Sequence, residues 1–152
     1  MSTSRLAHLR CLSVLLLLML SWQVHGQSLL PLGEGDRCRF DATIEMERAY
    51  VSGMCVLLRE GDVIKGCIFN EFGITALDFT YQPRKGKVKL HSVLPMLDKW
   101  YIRRTLRGDL KRVMQALDAG ITRYENQRRH ITYLFTPVAT LDTAPPENEP
   151  SL

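Results

Sequence analysis

The stretch KGCIFNEFGITALDF, residues 65–79, sets Asn70 and Glu71 in the middle of an otherwise apolar, β-branched and aromatic run. A strand continued through both would carry an amide and a carboxylate across a greasy layer. Reading the pair as the tip of a turn removes the conflict. The tip is then wet, and Gly73 supplies a left-handed conformation that is cheap only without a Cβ.

Two further turns flank this one. Glu60-Gly61-Asp62 separates an apolar run at 50–59 from one at 63–69, and Pro83-Arg84-Lys85-Gly86 separates Tyr81 from Val88. Centring the first turn on Gly61 sets Cys55 opposite Cys67, Met54 opposite Ile68, Val56 opposite Gly66 and Leu58 opposite Ile64. Centring the second on Glu71-Phe72 sets Phe69 opposite Ile74. The third sets Tyr81 opposite Val88 and Phe79 opposite Leu90. Side chains alternate along a strand, so these choices also fix the faces. One face collects Met54, Val56, Leu58, Ile64, Ile68, Leu77, Phe79, Tyr81, Val88 and Leu90. The other carries Arg59, Lys65, Asp78, Lys87 and Lys89, with Leu57, Phe69 and Ile74 among them. The pattern predicts an antiparallel meander.

Upstream, Cys38, Phe40, Ala42, Ile44 and Met46 alternate with Arg39, Asp41, Thr43 and Glu45, as in a half-buried strand. Downstream, Leu106, Leu110, Val113, Met114 and Leu117 recur at helical spacing, leaving Arg107, Lys111 and Arg112 outside. Gly108 weakens a helix interior, so the helix is placed from there to a stop at Gly120. A last strand is expected at 130–136. The apolar face must be covered. Two arrangements satisfy this: a sheet filled by its own side chains and the helix, or a sheet that leaves a hollow for an apolar guest.

The chain opens MSTSRLAHLRCLSVLLLLMLSWQVHGQS, with Arg5 and Arg10 before a short apolar run and small residues before Gln27. That is the layout of a secretory signal peptide over 1–26, the apolar run being too short to span a bilayer. A single β-rich domain is expected over 27–136. Residues 137–152, rich in proline, read as a disordered tail. The net charge is +4, and loss of the leader with its two arginines leaves +2. The distribution matters more: between Asp98 and His130 nine Lys or Arg residues face four acids. Arg103, Arg104, Arg107, Lys111 and Arg112 form the helical part of this patch, suited to anionic head groups, a membrane surface or a partner.

Three cysteines remain after export, Cys38, Cys55 and Cys67. Opposed strand residues have Cβ atoms about 4.5–5.5 Å apart, so the expected pairing of Cys55 with Cys67 allows a disulfide and leaves Cys38 free. No zinc pattern occurs, and no cofactor is implied. Ser28, Ser52 and Ser92 lack a nucleophile elbow, and His91 and His130 are the only histidines after the leader. A non-enzymatic protein is expected. Basic and aromatic residues do not interleave on one strand face, so no nucleic-acid partner is expected.

The run SGMCVLLREGDVIKGCIFNEFGITALDFTY, with KVKLHSVLPMLDKWYIRRTLRGDL after it, resembles the LolA/LolB-like outer-membrane lipoprotein-sorting group. The resemblance rests on Ser52-Gly53, on Asn70, Phe72 and Gly73 at a corner, and on Asp78-Phe79. It implies an α+β fold, an antiparallel meander curled into a half-barrel with one or two helices packed on its apolar face. It also implies an acylated ligand held against the ten apolar residues from Met54 to Leu90. A lipid-bearing cysteine directly after the leader is lacking, Gln27 standing there. The functional expectation is an exported protein of the periplasm or cell envelope of a Gram-negative bacterium. It would bind a lipid or acylated lipoprotein ligand as an accessory of outer-membrane biogenesis. The alternative is a filled-core module that meets an envelope protein partner without a small ligand.

Overall fold

The computed structural model describes residues 26–138. The expected leader, apart from Gly26, and the tail beyond Val138 lie outside the described residues. Seven strands are present: β1 (Arg37–Met46), β2 (Ala49–Glu60), β3 (Val63–Phe69), β4 (Thr75–Gln82), β5 (Lys87–Val93), β6 (Arg123–Asn126) and β7 (Ile131–Pro137). One helix, α1 (Trp100–Asp118), stands between β5 and β6 among the described residues. All strand pairs are antiparallel, in the order β5-β4-β3-β2-β1-β7-β6. The sheet curls into a half-barrel, and the fold is α+β as expected. The helix packs against β5 and β6, the two edge strands, and so lies across the open side of the curl.

The opening turn behaves as the chemistry of Asn70 demands. Its Oδ1 accepts hydrogen bonds from the backbone N–H of Phe72 at 3.0 Å and of Ile74 at 2.9 Å, and Gly73 takes a φ of 74°. The amide therefore organises the corner rather than interrupting a strand. A bulge between Ile68 and Phe69 offsets the pairing, so Ile68 meets Leu77. The faces expected for β3 and β4 survive, because the shift is an even number of residues. Between β4 and β5 the expected pairs Tyr81–Val88 and Phe79–Leu90 both occur.

The first hairpin differs. Glu60 pairs with Val63, so the turn is the two-residue Gly61-Asp62, with Gly61 at φ 56°. Two-residue turns of this kind match the twist of paired strands, and the centre moves by half a residue. That small shift inverts every side chain of β2. Cys55 and Leu57 enter the core, both 0% exposed, while Met54, Val56 and Leu58 stand on the outer face, half-buried. The pairing of β2 with β1 agrees: Phe40 lies opposite Cys55 and Ile44 opposite Val51, all four buried. Met54, Val56 and Leu58 are thus removed from the expected apolar set, and Leu57 from the outer one.

The same inversion separates two thiols. Cys55 pairs with Ile68 on the inside, whereas Cys67 pairs with Val56 on the outside. Cys38, Cys55 and Cys67 are all free, so the Cys55–Cys67 bond that the expected register allows is not formed.

The interior between sheet and helix is filled by side chains. Phe79 is fully buried, and its ring lies over Gly66, where an added methyl group would overlap it. Phe40 and Phe135 meet edge to face, with ring centroids 6.3 Å apart. From the helix, Leu106, Leu110, Val113, Met114 and Leu117 close the layer, as their spacing indicates. The helix begins eight residues before Gly108, and Arg103 anchors its first turn through Asp98 at 2.7 Å and the carbonyl of Leu90 at 3.3 Å. Its C-terminal end is tied to the entry segment, where the Leu29 N–H donates to the Leu117 carbonyl. No described helix is long and apolar enough to cross a membrane.

Candidate functional site

The first turns of α1 border an apolar hollow. Met46, Glu47, Arg48 and Ala49 of the β1–β2 turn, Met96 and Leu97 before the helix, and Tyr101, Ile102, Thr105 and Leu106 of α1 surround a hollow of about 390 Å³. Ile131 and Arg129 complete its wall. Most of this lining is apolar, and Arg48, Glu47 and Arg129 are its charged members. The volume lies in the range of small-molecule pockets, about 300–1,000 Å³.

A second and larger cleft, of about 800 Å³, lies on the other side of Tyr101 and Thr105. Its floor is the exposed face of α1 and its far wall is the β6–β7 hairpin. Arg104 and Arg112 come from the helix, Arg128 and Arg129 from the hairpin turn, and Trp100, Tyr101 and Tyr124 add aromatic surface. The two hollows share Tyr101, Thr105 and Arg129.

What holds the hairpin against the helix is a buried acid. Asp109 is 4% exposed, and its carboxylate accepts from Asn126 Nδ2 at 2.8 and 3.0 Å and from the Tyr133 hydroxyl at 2.9 Å. Burial pushes the Tyr133 phenol above its ordinary range, and the charge of Asp109 pushes it further. The hydroxyl therefore keeps its proton and stays a donor. The turn itself is tight: the Arg129 N–H donates to the Asn126 carbonyl at 3.1 Å, and His130 adopts a left-handed φ of 50°.

The residues expected to line a ligand site fall elsewhere. Ile64, Ile68, Leu77, Phe79, Tyr81, Val88 and Leu90 do share one face, but they are buried in the packed core. None of them, nor Met54, Val56 or Leu58, borders the apolar hollow. The expected basic patch is divided. Arg104 and Arg112 face the cleft, while Arg103 turns toward Asp98 and β5. Lys111 lies beside Gly86 at the β4–β5 corner, and Arg107 is exposed outside the cleft lining.

Arg128, Arg129, Trp100 and Tyr101 were not singled out by the sequence pattern. An Arg-Arg pair directly before a short strand was the available signal, since a hairpin tip aims both outward. Among the described residues no group of three or more His, Cys, Asp or Glu side chains is placed to hold a metal ion. Comparison with protein-family models, with curated proteins and with solved structures yields no match.

Proposed function

We propose that this protein is an exported, non-enzymatic component of the cell envelope that binds a lipid or acylated ligand at the mouth of its half-barrel. The supporting observation is the apolar hollow at the first turns of α1, walled by Met46, Ala49, Met96, Ile102 and Leu106. An acyl chain entering there would cover exposed apolar surface, Met96 being 63% and Tyr101 43% exposed. Each methylene so buried is worth about 0.8 kcal/mol. This reading keeps the class of ligand that the lipoprotein-sorting resemblance implies. It moves the contact from the sheet centre, which side chains fill, to the open end.

Displacement of a fluorescent fatty acid from the purified protein tests the proposal. Saturable binding that is lost in Ile102→Glu and in Met96→Glu, with the thermal midpoint retained, is the expected result. Leu58→Glu, on the outer face, leaves binding intact. Absence of binding by the unaltered protein, or binding indifferent to both mouth substitutions, refutes the assignment.

The second reading is a filled-core module that meets another envelope protein. It is favoured by Trp100, which stands 76% exposed on the wall of the larger cleft. Under that reading Trp100→Ala abolishes capture of the partner from envelope extract and fatty-acid displacement is absent.

A further inference from the structure

An interior glycine in a helix costs about 1 kcal/mol relative to alanine. Gly108 sits in the middle of α1, is exposed, and a Cβ added there would meet nothing within 4 Å. Packing therefore does not demand the glycine. Its neighbours on the same helix face, one turn before and one turn after, are Arg104 and Arg112. All three line the larger cleft, which the hairpin arginines Arg128 and Arg129 close from the opposite side. A glycine between two cationic side chains bares the backbone and deepens the floor, the usual reason for a ligand to approach a main chain closely.

We infer that this cleft binds the phosphate group of an amphiphilic ligand whose apolar chain occupies the adjoining hollow. The inference rests on the proposed function for the chain and adds the chemistry of the head. Four guanidinium groups surround the space, against two acids. Asp109 directs its carboxylate inward to Asn126 and Tyr133, and Glu125 has Arg123 at 4.0 Å. A carboxylate has two oxygens and one charge, which a single arginine fork satisfies. Several forks in a cleft of about 800 Å³ suit a group with more oxygens and a second charge. The head and the chain belong to one molecule because Tyr101, Thr105 and Arg129 form the wall common to both spaces.

Calorimetric titration of the purified protein, below micellar concentrations, with dodecyl phosphate, dodecanol and inorganic phosphate tests the inference. Dodecyl phosphate is expected to bind at least roughly tenfold more tightly than dodecanol, a charge-assisted hydrogen bond being worth that much or more. The double substitution Arg104→Gln with Arg128→Gln, both outside the lining of the apolar hollow, lowers dodecyl phosphate to the dodecanol level and leaves dodecanol unchanged. Gly108→Leu fills the floor and weakens dodecyl phosphate selectively, while the helix gains rather than loses stability. Equal affinity for the phosphate and the alcohol overturns the head-group assignment and leaves the proposed function standing. Inorganic phosphate bound as tightly as dodecyl phosphate overturns the single-ligand arrangement, marking the cleft as a site for the free anion. If neither dodecyl compound binds, the proposed function itself fails and the inference with it.

Discussion

The two halves of α1 face the same sheet and do different things. The later half buries Leu110, Val113, Met114 and Leu117 in the same core as strand residues such as Phe79 and Tyr133, and only its outward Arg112 borders the larger cleft. The earlier half buries Leu106 and Asp109, keeps Trp100 exposed, and borders both hollows. The contrast shows that an apolar face on a curled sheet is not by itself a ligand site. Where opposed side chains meet, the curl is core. Where the first turns of the helix meet the β1–β2 turn and Ile131, a hollow is left, and recognition can be built there.

The largest effect that can break this contrast comes from Phe79→Ala. A filled centre predicts a loss of about 3–5 kcal/mol in stability by denaturant unfolding, since a buried phenyl leaves a void that its neighbours only partly close. Fatty-acid displacement is unchanged in the fraction that remains folded. A small stability loss with abolished binding would instead make the centre a ligand chamber and reverse the assignment of the two regions.

Alkaline unfolding sharpens the same contrast. Burial pushes the Cys55 thiol above its ordinary 9.0, with the nearby Cys67 adding to the shift, and the Tyr133 phenol above its ordinary 10.0. Both groups hold their protons more firmly folded than unfolded. Stability is therefore complete below the ordinary values and erodes as pH rises, first through 9.0 and then through 10.0. Each group alone contributes a slope of about 1.4 kcal/mol per pH unit once its unfolded form ionises. Cys55→Ala reduces the earlier part of the decline in a series of denaturation curves between pH 8 and 11, Cys38 keeping its smaller share. Curves that coincide for the two proteins would mean that the thiol is wet.

The smallest effect belongs to the open end. Gly108→Ala is expected to raise stability by about 1 kcal/mol, read as a higher denaturant midpoint at constant slope. A fall in stability would mean that the backbone at Gly108 is packed after all.

Much of the architecture was legible because turn chemistry is local. Asn70, Gly73 and the proline-led corner at 83–86 fixed the faces of β3, β4 and β5 from neighbouring residues alone. The inversion of β2 came from a single ambiguity, whether Glu60 belongs to the turn or to the strand. Pairing β1 with β2 resolves it, because Phe40, Ala42 and Ile44 require Val51, Cys55 and Leu57 on their side. The strand β6 was not visible: its four residues, Arg-Tyr-Glu-Asn, contain no apolar alternation, and its place is set by Asp109 reaching Asn126. The early start of α1 was hidden by Gly108, whose propensity argues for a boundary that tertiary packing overrides. The divided basic patch was hidden for a further reason. Helical spacing says which residues share a face, but not that a distant hairpin will add Arg128 and Arg129 to one of them.

The order of the strands carries a consequence for how the chain assembles. From β1 to β5 each strand lies beside the one synthesised just before it, so those pairings close short loops and form early. The flank of β1 away from β2 is different: Ile44 must wait for Tyr133, which arrives after the helix and β6. Until then it presents unpaired N–H and C=O groups, a template for sticking to another copy. A nascent chain is most exposed to self-association in the interval between the meander and the arrival of β7. Substitutions that delay the docking of Tyr133 or Phe135 will therefore lower yield before they lower the melting point of the finished molecule.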